Sequence, residues 1–240
     1  MDIIDLFFPR QVKCIFCGRE TKEYGICEDC YDHLPFVEPP YCVKCGGHVI
    51  GKGHVCVECK KKETEIDSCY SVLYDIDDVA KKIVSFKQSG AKYLGESFAY
   101  LIEDKFKQIN ERIDMIIPVP ISERRLKERG YNQSEILCNE LPKDLVKTDV
   151  FARIEDTPHQ TGLGRSNRLS NLKGAFKVLD KKSIKGNVVL ILDDIYTTGS
   201  TLNECARTLK SAGAKKVIGL TLARAKPKME KVLGSLENKS

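Results

Sequence analysis

Residues 188–201 read VVLILDDIYTTGST, and the fold class of the chain can be predicted from them. It opens with five consecutive apolar residues, a run typical of a central parallel strand that is covered on both faces. The apolar residues after Gly199 recur at helical spacing, and residues 216–223 supply another apolar strand. A strand–helix–strand unit of this kind predicts an α/β domain, in which helices flank a parallel sheet.

The turn between that strand and the helix has the composition of a phosphate-binding loop. Ligands of open α/β sheets bind at the carboxyl ends of the strands, and the positive end of a helix dipole attracts anions. Five residues there can offer hydroxyls and backbone N–H groups to a phosphate: Thr197, Thr198, Gly199, Ser200 and Thr201. Asp193 and Asp194 precede them and can accept hydrogen bonds from vicinal hydroxyls. The pattern therefore indicates a sugar phosphate as the ligand.

A P-loop nucleotidase is the competing interpretation of this stretch, because its Walker B strand also ends in acidic residues. The chain contains no G-x-x-x-x-G-K-[ST] motif and no G-x-G-x-x-G motif. The first absence disfavours a P-loop protein, and the second disfavours a dinucleotide-binding domain.

The α/β pattern extends over most of the chain. Strands are predicted at 68–75 and 115–120, and helices at 78–86, 93–106 and 134–141. The charged run at 60–63 is typical of a solvated linker. We place the domain boundary there, which gives a small domain at 1–62 and the α/β domain at 63–240.

The small domain repeats one cysteine spacing four times. Its C-x2-C pairs are Cys14 and Cys17, Cys27 and Cys30, Cys42 and Cys45, and Cys56 and Cys59. Two such pairs supply the four thiolates of a tetrahedral zinc site, so eight cysteines predict two structural Zn²⁺ ions. The spacing allows sequential or interleaved pairing. Four disulfides would require an oxidising compartment, and one redox motif does not explain four copies.

Composition and charge describe an ordinary chain of 240 residues with a net charge of +5. Residues 1–62 carry nine basic and nine acidic side chains, so the excess lies in the α/β domain. No apolar run approaches the ~18 residues that cross a bilayer. Asp2 and Asp5 interrupt the N-terminal apolar patch, unlike a secretory signal. We expect a cytoplasmic protein without membrane insertion.

Four stretches in this order resemble a known family. They are LFFPRQVKCIFC at 6–17, PVPISERRLKERGYNQS at 118–134, TPHQTGLGRSNRLSNLKGAF at 157–176, and the phosphate loop. The strand, the two acids and the T-G loop resemble the type I phosphoribosyltransferases, which bind phosphoribosyl pyrophosphate (PRPP). The whole combination is similar to the ComF family, which joins a cysteine-rich zinc module to that domain.

The resemblance implies a role for each part of the site. Asp193 and Asp194 would hold the ribose of PRPP, and residues 197–201 its 5′-phosphate. Val119, Pro120 and Arg124 would belong to a pyrophosphate loop at 119–124, with Mg²⁺ bridging the phosphates. Residues 160–171 resemble the loop that closes over PRPP. Thr197 stands where 6-oxopurine transferases carry a carboxylate, so purine salvage is disfavoured.

The resemblance also implies an accessory role in DNA uptake during natural transformation. Its partners would be single-stranded DNA, the DNA-uptake helicase and other competence proteins. The candidate nucleic-acid residues are Arg124, Arg125, Lys127, Arg129, Tyr131, Arg165 and Arg168. The first four form a basic cluster suited to phosphates, although a solvated helix face has the same composition. Tyr131 could stack on a base. Two alternatives remain: a phosphoribosyltransferase acting on an unidentified acceptor, and a zinc-dependent scaffold with a vestigial pocket.

Overall fold

The computed structural model describes residues 12–21, 25–49, 53–88, 90–154 and 173–226. In chain order the strands are β1 (Val12–Lys13), β2 (Glu20–Thr21), β3 (Ser68–Tyr74), β4 (Met115–Pro118), β5 (Phe151–Arg153), β6 (Phe176–Val178), β7 (Val188–Tyr196) and β8 (Lys216–Arg224). The helices are α1 (Glu28–Asp32), α2 (Val57–Lys60), α3 (Asp77–Phe86), α4 (Leu94–Lys107), α5 (Glu123–Arg129), α6 (Gln133–Leu137), α7 (Lys181–Ile184) and α8 (Ser200–Ser211). The elements predicted from the sequence are present, with shifted ends.

A four-stranded parallel sheet forms the centre of the α/β domain, in the order β3-β8-β7-β4. The central strand β7 is covered on both faces, as its apolar run predicts. Leu190 and Leu192 pack into one hydrophobic cluster, whereas Val189 and Ile191 pack into the other. Because side chains alternate along a strand, an unbroken apolar run satisfies both clusters at once.

Helices α3, α4 and α6 cover one face of the sheet, and α8 covers the other. Phe86 of α3 and Phe98 of α4 are fully buried in the first cluster, with ring centroids 5.4 Å apart. Leu202, Cys205 and Leu209 of α8 are buried in the second cluster. Burial of each large apolar side chain contributes about 1.5–3 kcal/mol, so these helices fix the sheet and the loops at its edge.

The cysteine-rich segment packs directly on β3, the outer strand of the sheet. The Cys69 N–H donates to the Val43 carbonyl at 2.7 Å, and the Val37 N–H donates to the Val72 carbonyl at 2.9 Å. Gly46 approaches so closely that a Cβ there would lie 2.7 Å from the Ser71 nitrogen. The segment is therefore joined to the α/β domain by backbone contacts along the strand.

Within the described ranges, none of the helices has both the length and the apolar content that crossing a bilayer requires.

Candidate phosphate site and zinc sites

The predicted phosphate loop lies at the carboxyl edge of the sheet, between β7 and α8. Gly199 caps α8 in the left-handed conformation with φ of +78°, and its carbonyl accepts from the Asn203 N–H at 2.8 Å. A Cβ on Gly199 would collide with the Tyr196 hydroxyl. The Thr198 and Ser200 hydroxyls lie 2.7 Å apart at the start of the helix. Hydroxyls and the first N–H groups of a 12-residue helix thus converge where an anion could bind.

The two carboxylates lie within β7 and not after it, which corrects the shorter strand expected from the apolar run. Pairing with β8 continues past the run, through Asp193 opposite Thr221 to Tyr196 opposite Arg224. The ladder outlasts the apolar residues because backbone hydrogen bonds do not depend on side-chain polarity. The carboxylates therefore have strand geometry, and the loop begins only after Tyr196.

Asp193 and Asp194 have different partners. One Asp193 oxygen accepts from the Asp194 N–H at 2.9 Å and from the Ser134 hydroxyl at 3.4 Å. Asp194 forms a salt bridge with Lys87 at 3.1 Å, and its side chain is only 12% exposed. Burial, followed by the charge of Asp194, raises the pKa of Asp193 to about 7. A ligand hydroxyl or cation at Asp194 would have to share that carboxylate with Lys87.

The segment proposed as a pyrophosphate loop leaves β4 beside this pair. The Val119 N–H donates to the Leu192 carbonyl at 2.8 Å, and the Val119 carbonyl accepts from the Asn132 amide at 3.1 Å. Pro120 is partly buried and follows in the same turn. Arg124 already belongs to helix α5, where its side chain is 77% exposed and faces Glu128 at 3.8 Å. The structure thus brings Val119 to Leu192, the residue that precedes Asp193 in β7.

The basic candidates for nucleic-acid binding divide into three groups. Arg124, Arg125 and Lys127 are exposed on α5, while Arg129 is half-buried and donates to the Gln133 side chain at 2.8 Å. Arg165 and Arg168 lie outside the described residues.

Tyr131 contradicts its predicted role as a stacking platform. It is only 9% exposed, packs on the Phe86 ring at 5.8 Å, and donates its hydroxyl to the Phe86 carbonyl at 2.6 Å. Its ring belongs to the core, because the turn at 130–134 closes onto the end of α3. The sequence prediction used only the position of Tyr131 next to the basic residues in the chain, which does not indicate where its ring packs.

A cleft of about 470 Å³ adjoins the phosphate loop on the flank of α8. Gly199 and Ser200 line this cleft, and so do Cys59, Lys62 and Thr64. The charged run at 60–63 is exposed, and its first residue, Lys60, ends helix α2. It nevertheless faces the site, because the Glu65 N–H donates to the Asn203 side chain at 2.6 Å. The junction between the two predicted domains therefore forms part of the site's surroundings.

The eight paired cysteines form two groups, each with its ligand sulfurs within 4.8 Å of one another. These are Cys14, Cys17, Cys27 and Cys30, the first zinc site, and Cys42, Cys45, Cys56 and Cys59, the second zinc site. Sulfurs of different pairs approach at 3.6 Å in the first site and 3.8 Å in the second. Tetrahedral zinc with Zn–S bonds of about 2.3 Å requires sulfurs roughly 3.8 Å apart, so both groups fit the ion. Pairing is sequential.

Four residues at the site were not singled out from the sequence: Lys87, Asn132, Ser134 and Arg224. Lys87 pairs with Asp194, and the buried side chains of Asn132 and Ser134 hold Val119 and Asp193. Arg224 ends β8 and donates to Cys45. For Asn132 and Ser134 the available signal was a run of three polar residues at 132–134, shortly after Gly130. Lys87 and Arg224 gave no local signal.

Comparisons with known proteins agree with this architecture. Residues 3–60 match the Double zinc ribbon domain family, and residues 94–234 match the Phosphoribosyl transferase domain family. Fold and site together define a phosphoribosyltransferase-fold protein with an N-terminal double zinc ribbon. Competence protein F of Haemophilus influenzae is 30% identical over 224 residues, covering 89% of this chain and 97% of that protein. The chain belongs to the ComF family.

Other similar proteins match over different shares of their length. Competence protein ComFC of Streptococcus pneumoniae is 25% identical and covers 89% of this chain and 100% of its own. DNA utilization protein YhgH of Escherichia coli K12 is 37% identical, covering 43% of this chain and 46% of its own. Among solved structures, the allosteric regulatory enzyme of purine biosynthesis gives a TM-score of 0.38 at 15% identity, over 53% of this chain and 26% of that one. A Trypanosoma cruzi hypoxanthine phosphoribosyl transferase gives a TM-score of 0.32 at 18% identity, over 62% of this chain and 70% of that one.

Proposed function

We propose that the chain binds PRPP with Mg²⁺ at the carboxyl edge of its sheet and serves as an accessory protein of DNA uptake. The observation that carries the proposal is the loop at 197–201, which joins the N-terminus of α8 to a strand bearing two carboxylates. The loop would hold the 5′-phosphate, Asp193 and Asp194 would accept the ribose hydroxyls, and the turn at Val119 and Pro120 would flank the pyrophosphate. Bound Mg²⁺ would neutralise the phosphates.

Calorimetry with PRPP and Mg²⁺ tests the binding proposal. We expect heat with the native protein, and at least a tenfold weaker affinity for Asp193→Asn and Asp194→Asn, because each hydrogen bond to a charged group contributes about 1.5–3 kcal/mol. Asp78→Asn is the matched control, since Asp78 is exposed on α3 and pairs with Lys81. Absence of heat in the native protein would instead favour the zinc-dependent scaffold.

The DNA part of the proposal is supported by the competence and DNA utilization names of the relatives and by the exposed basic face of α5. That face would bind the backbone of single-stranded DNA, and the DNA-uptake helicase and other competence proteins would be the partners. Eight zinc-ligating thiols favour a reducing, cytoplasmic location. Gel shifts at increasing salt test the contact, and no binding at low salt would contradict it.

Phosphoribosyl transfer to an acceptor is the second candidate function. A specific observation favours it, since the pKa of Asp193 is raised to about 7, where a carboxyl can exchange a proton near neutral pH. Release of pyrophosphate from PRPP that requires an added acceptor would support transfer. Release at the same rate without any acceptor would contradict it.

A further inference from the structure

Arg224 is a buried cation whose Nη1 hydrogen-bonds to the second zinc site, while its Nε donates to the Ala225 carbonyl at 3.4 Å. The side chain is 4% exposed, and its Nη1 donates to the Cys45 carbonyl at 3.0 Å and to the Cys45 sulfur at 2.7 Å. Among the described residues, no carboxylate pairs with it. A buried charge is stable only when an opposite charge or hydrogen bonds compensate it. Four thiolates around one Zn²⁺ carry a net charge of −2, which is the compensation that this guanidinium requires.

The same guanidinium lies against the strand that carries the phosphate loop. Its central carbon is 5.6 Å from the centre of the Tyr196 ring. Tyr196 is the last residue of β7, directly opposite Arg224 in the ladder, and it is buried. Its hydroxyl occupies the space into which a Cβ at Gly199 would extend. Displacement of Arg224 would therefore move Tyr196 and change the loop at 197–201.

A second, independent set of contacts joins the segment that follows this zinc site to α8, the helix that begins at the loop. Cys59, the last ligand, lines the cleft together with Gly199 and Ser200, and so do Lys62 and Thr64 just after it. Two bonds fasten this segment to α8: the Glu65 N–H donates to Asn203, and Asp67 pairs with Lys210 at 2.9 Å. Release of Cys59 from zinc would remove one anchor of this segment, and the part of the cleft that it lines could then move.

We propose that Arg224 is a positioning residue through which zinc in the second site, and not in the first, sets the geometry and phosphate affinity of the loop at 197–201. The proposal rests on the proposed binding of PRPP. The first zinc site lacks this connection within the described residues: its Arg19 donates to the Cys17 sulfur at 3.4 Å but is 61% exposed and pairs with Asp29.

Linkage makes the proposal testable in the unaltered protein. If zinc in one site strengthens PRPP binding by some factor, PRPP must strengthen zinc binding there by the same factor. Zinc-loaded protein is equilibrated with a graded chelator, with and without saturating PRPP and Mg²⁺. Alkylation and peptide mass spectrometry then identify the cysteines that have lost zinc. We expect PRPP to raise the zinc affinity of the second site about tenfold and to leave the first unchanged, within the usual 5–150-fold range of such couplings.

A matched pair of variants isolates the arginine, since among the described residues Arg19 donates to a sulfur of the first site and Arg224 to a sulfur of the second. Arg224→Met should weaken PRPP binding about tenfold and remove the effect of PRPP on zinc, whereas Arg19→Met should change neither. Arg224→Lys, which keeps the charge, should restore part of the coupling. Circular dichroism establishes whether each variant folds. If Arg224→Met does not fold, the chelator experiment on the native protein tests the coupling between zinc and PRPP.

The outcomes separate this proposal from the proposed function. Native protein that binds PRPP while both zinc sites respond equally, or neither responds, would overturn the role of Arg224 and leave PRPP binding intact. Native protein that gives no PRPP binding would overturn both. Equal loss of coupling in Arg19→Met and Arg224→Met would assign the effect to general stability and overturn the specific role of the second site.

Discussion

Substitution of Gly199 by alanine should damage the phosphate loop in two ways that can be separated. The first is backbone strain, since φ of +78° at this position costs a residue with a Cβ about 1–2 kcal/mol. The second is the collision of that Cβ with the Tyr196 hydroxyl, which must move against a packed core. Overpacking of this kind costs about 1–3 kcal/mol. We therefore expect Gly199→Ala to lower the free energy of unfolding by about 2–5 kcal/mol.

Gly186 supplies the matched control, because its φ of +80° is nearly the same and a Cβ there meets nothing within 4 Å. Gly186→Ala should show the strain alone. Thermal unfolding measures the stability of both variants, because each kcal/mol of lost stability lowers the melting temperature of a chain of this size by roughly 2–4 °C. Calorimetry with PRPP and Mg²⁺ should give at least tenfold weaker binding for Gly199→Ala and native affinity for Gly186→Ala. Equal melting temperatures and equal PRPP affinities in the two variants would refute the reasoning.

The remaining predictions concern separate parts of the molecule. The folded state holds the Asp193 proton more tightly than the unfolded chain, so native stability falls as pH rises from about 4 to about 7; the melting temperature of Asp193→Asn relative to native protein should rise over this window, and a flat difference would contradict the raised pKa. Glu204 is buried and accepts from the Gly174 N–H and from Arg207, so Glu204→Gln should cost about 2 kcal/mol and lower the melting temperature by about 4–8 °C; an unchanged melting temperature would deny the pair any structural role. The double variant Arg125→Gln and Lys127→Gln should weaken single-stranded DNA binding and make it less sensitive to salt, with a slope reduced by about one or more. Tyr131→Phe keeps the ring and removes the hydroxyl that donates to the Phe86 and Gln88 carbonyls, so it should lower stability by about 1 kcal/mol; an unchanged melting temperature would contradict a structural role for these bonds.

The parts of the site that the sequence predicted are those whose signals are local. The apolar run of β7, the loop at 197–201 and the C-x2-C pairs each depend on residues within a few positions of one another. The turn before α8 lies between a strand and a helix, as the sequence predicted, but the apolar run marks only part of that strand, because pairing with β8 extends it through Asp193 and Asp194.

The missed residues act across long separations in the chain. Arg224 and Cys45 are 179 positions apart, and nothing in either neighbourhood indicates the other. Lys87 reaches Asp194 only because α3 ends at the same edge of the sheet. Tyr131 was misassigned for a related reason: an aromatic residue beside arginines has the same sequence pattern whether its ring packs inward or faces a ligand.

The backbone contacts between the cysteine-rich segment and β3 have a consequence for how the protein is made. An uncovered outer strand presents unpaired N–H and C=O groups to any other chain that can add to the sheet. Residues 35–37 and 43–46 occupy this position along β3, and the latter lie within or beside the second zinc site. Chains synthesised in zinc-poor medium would leave that strand bare, and their yield would be limited by aggregation well before any ligand was encountered.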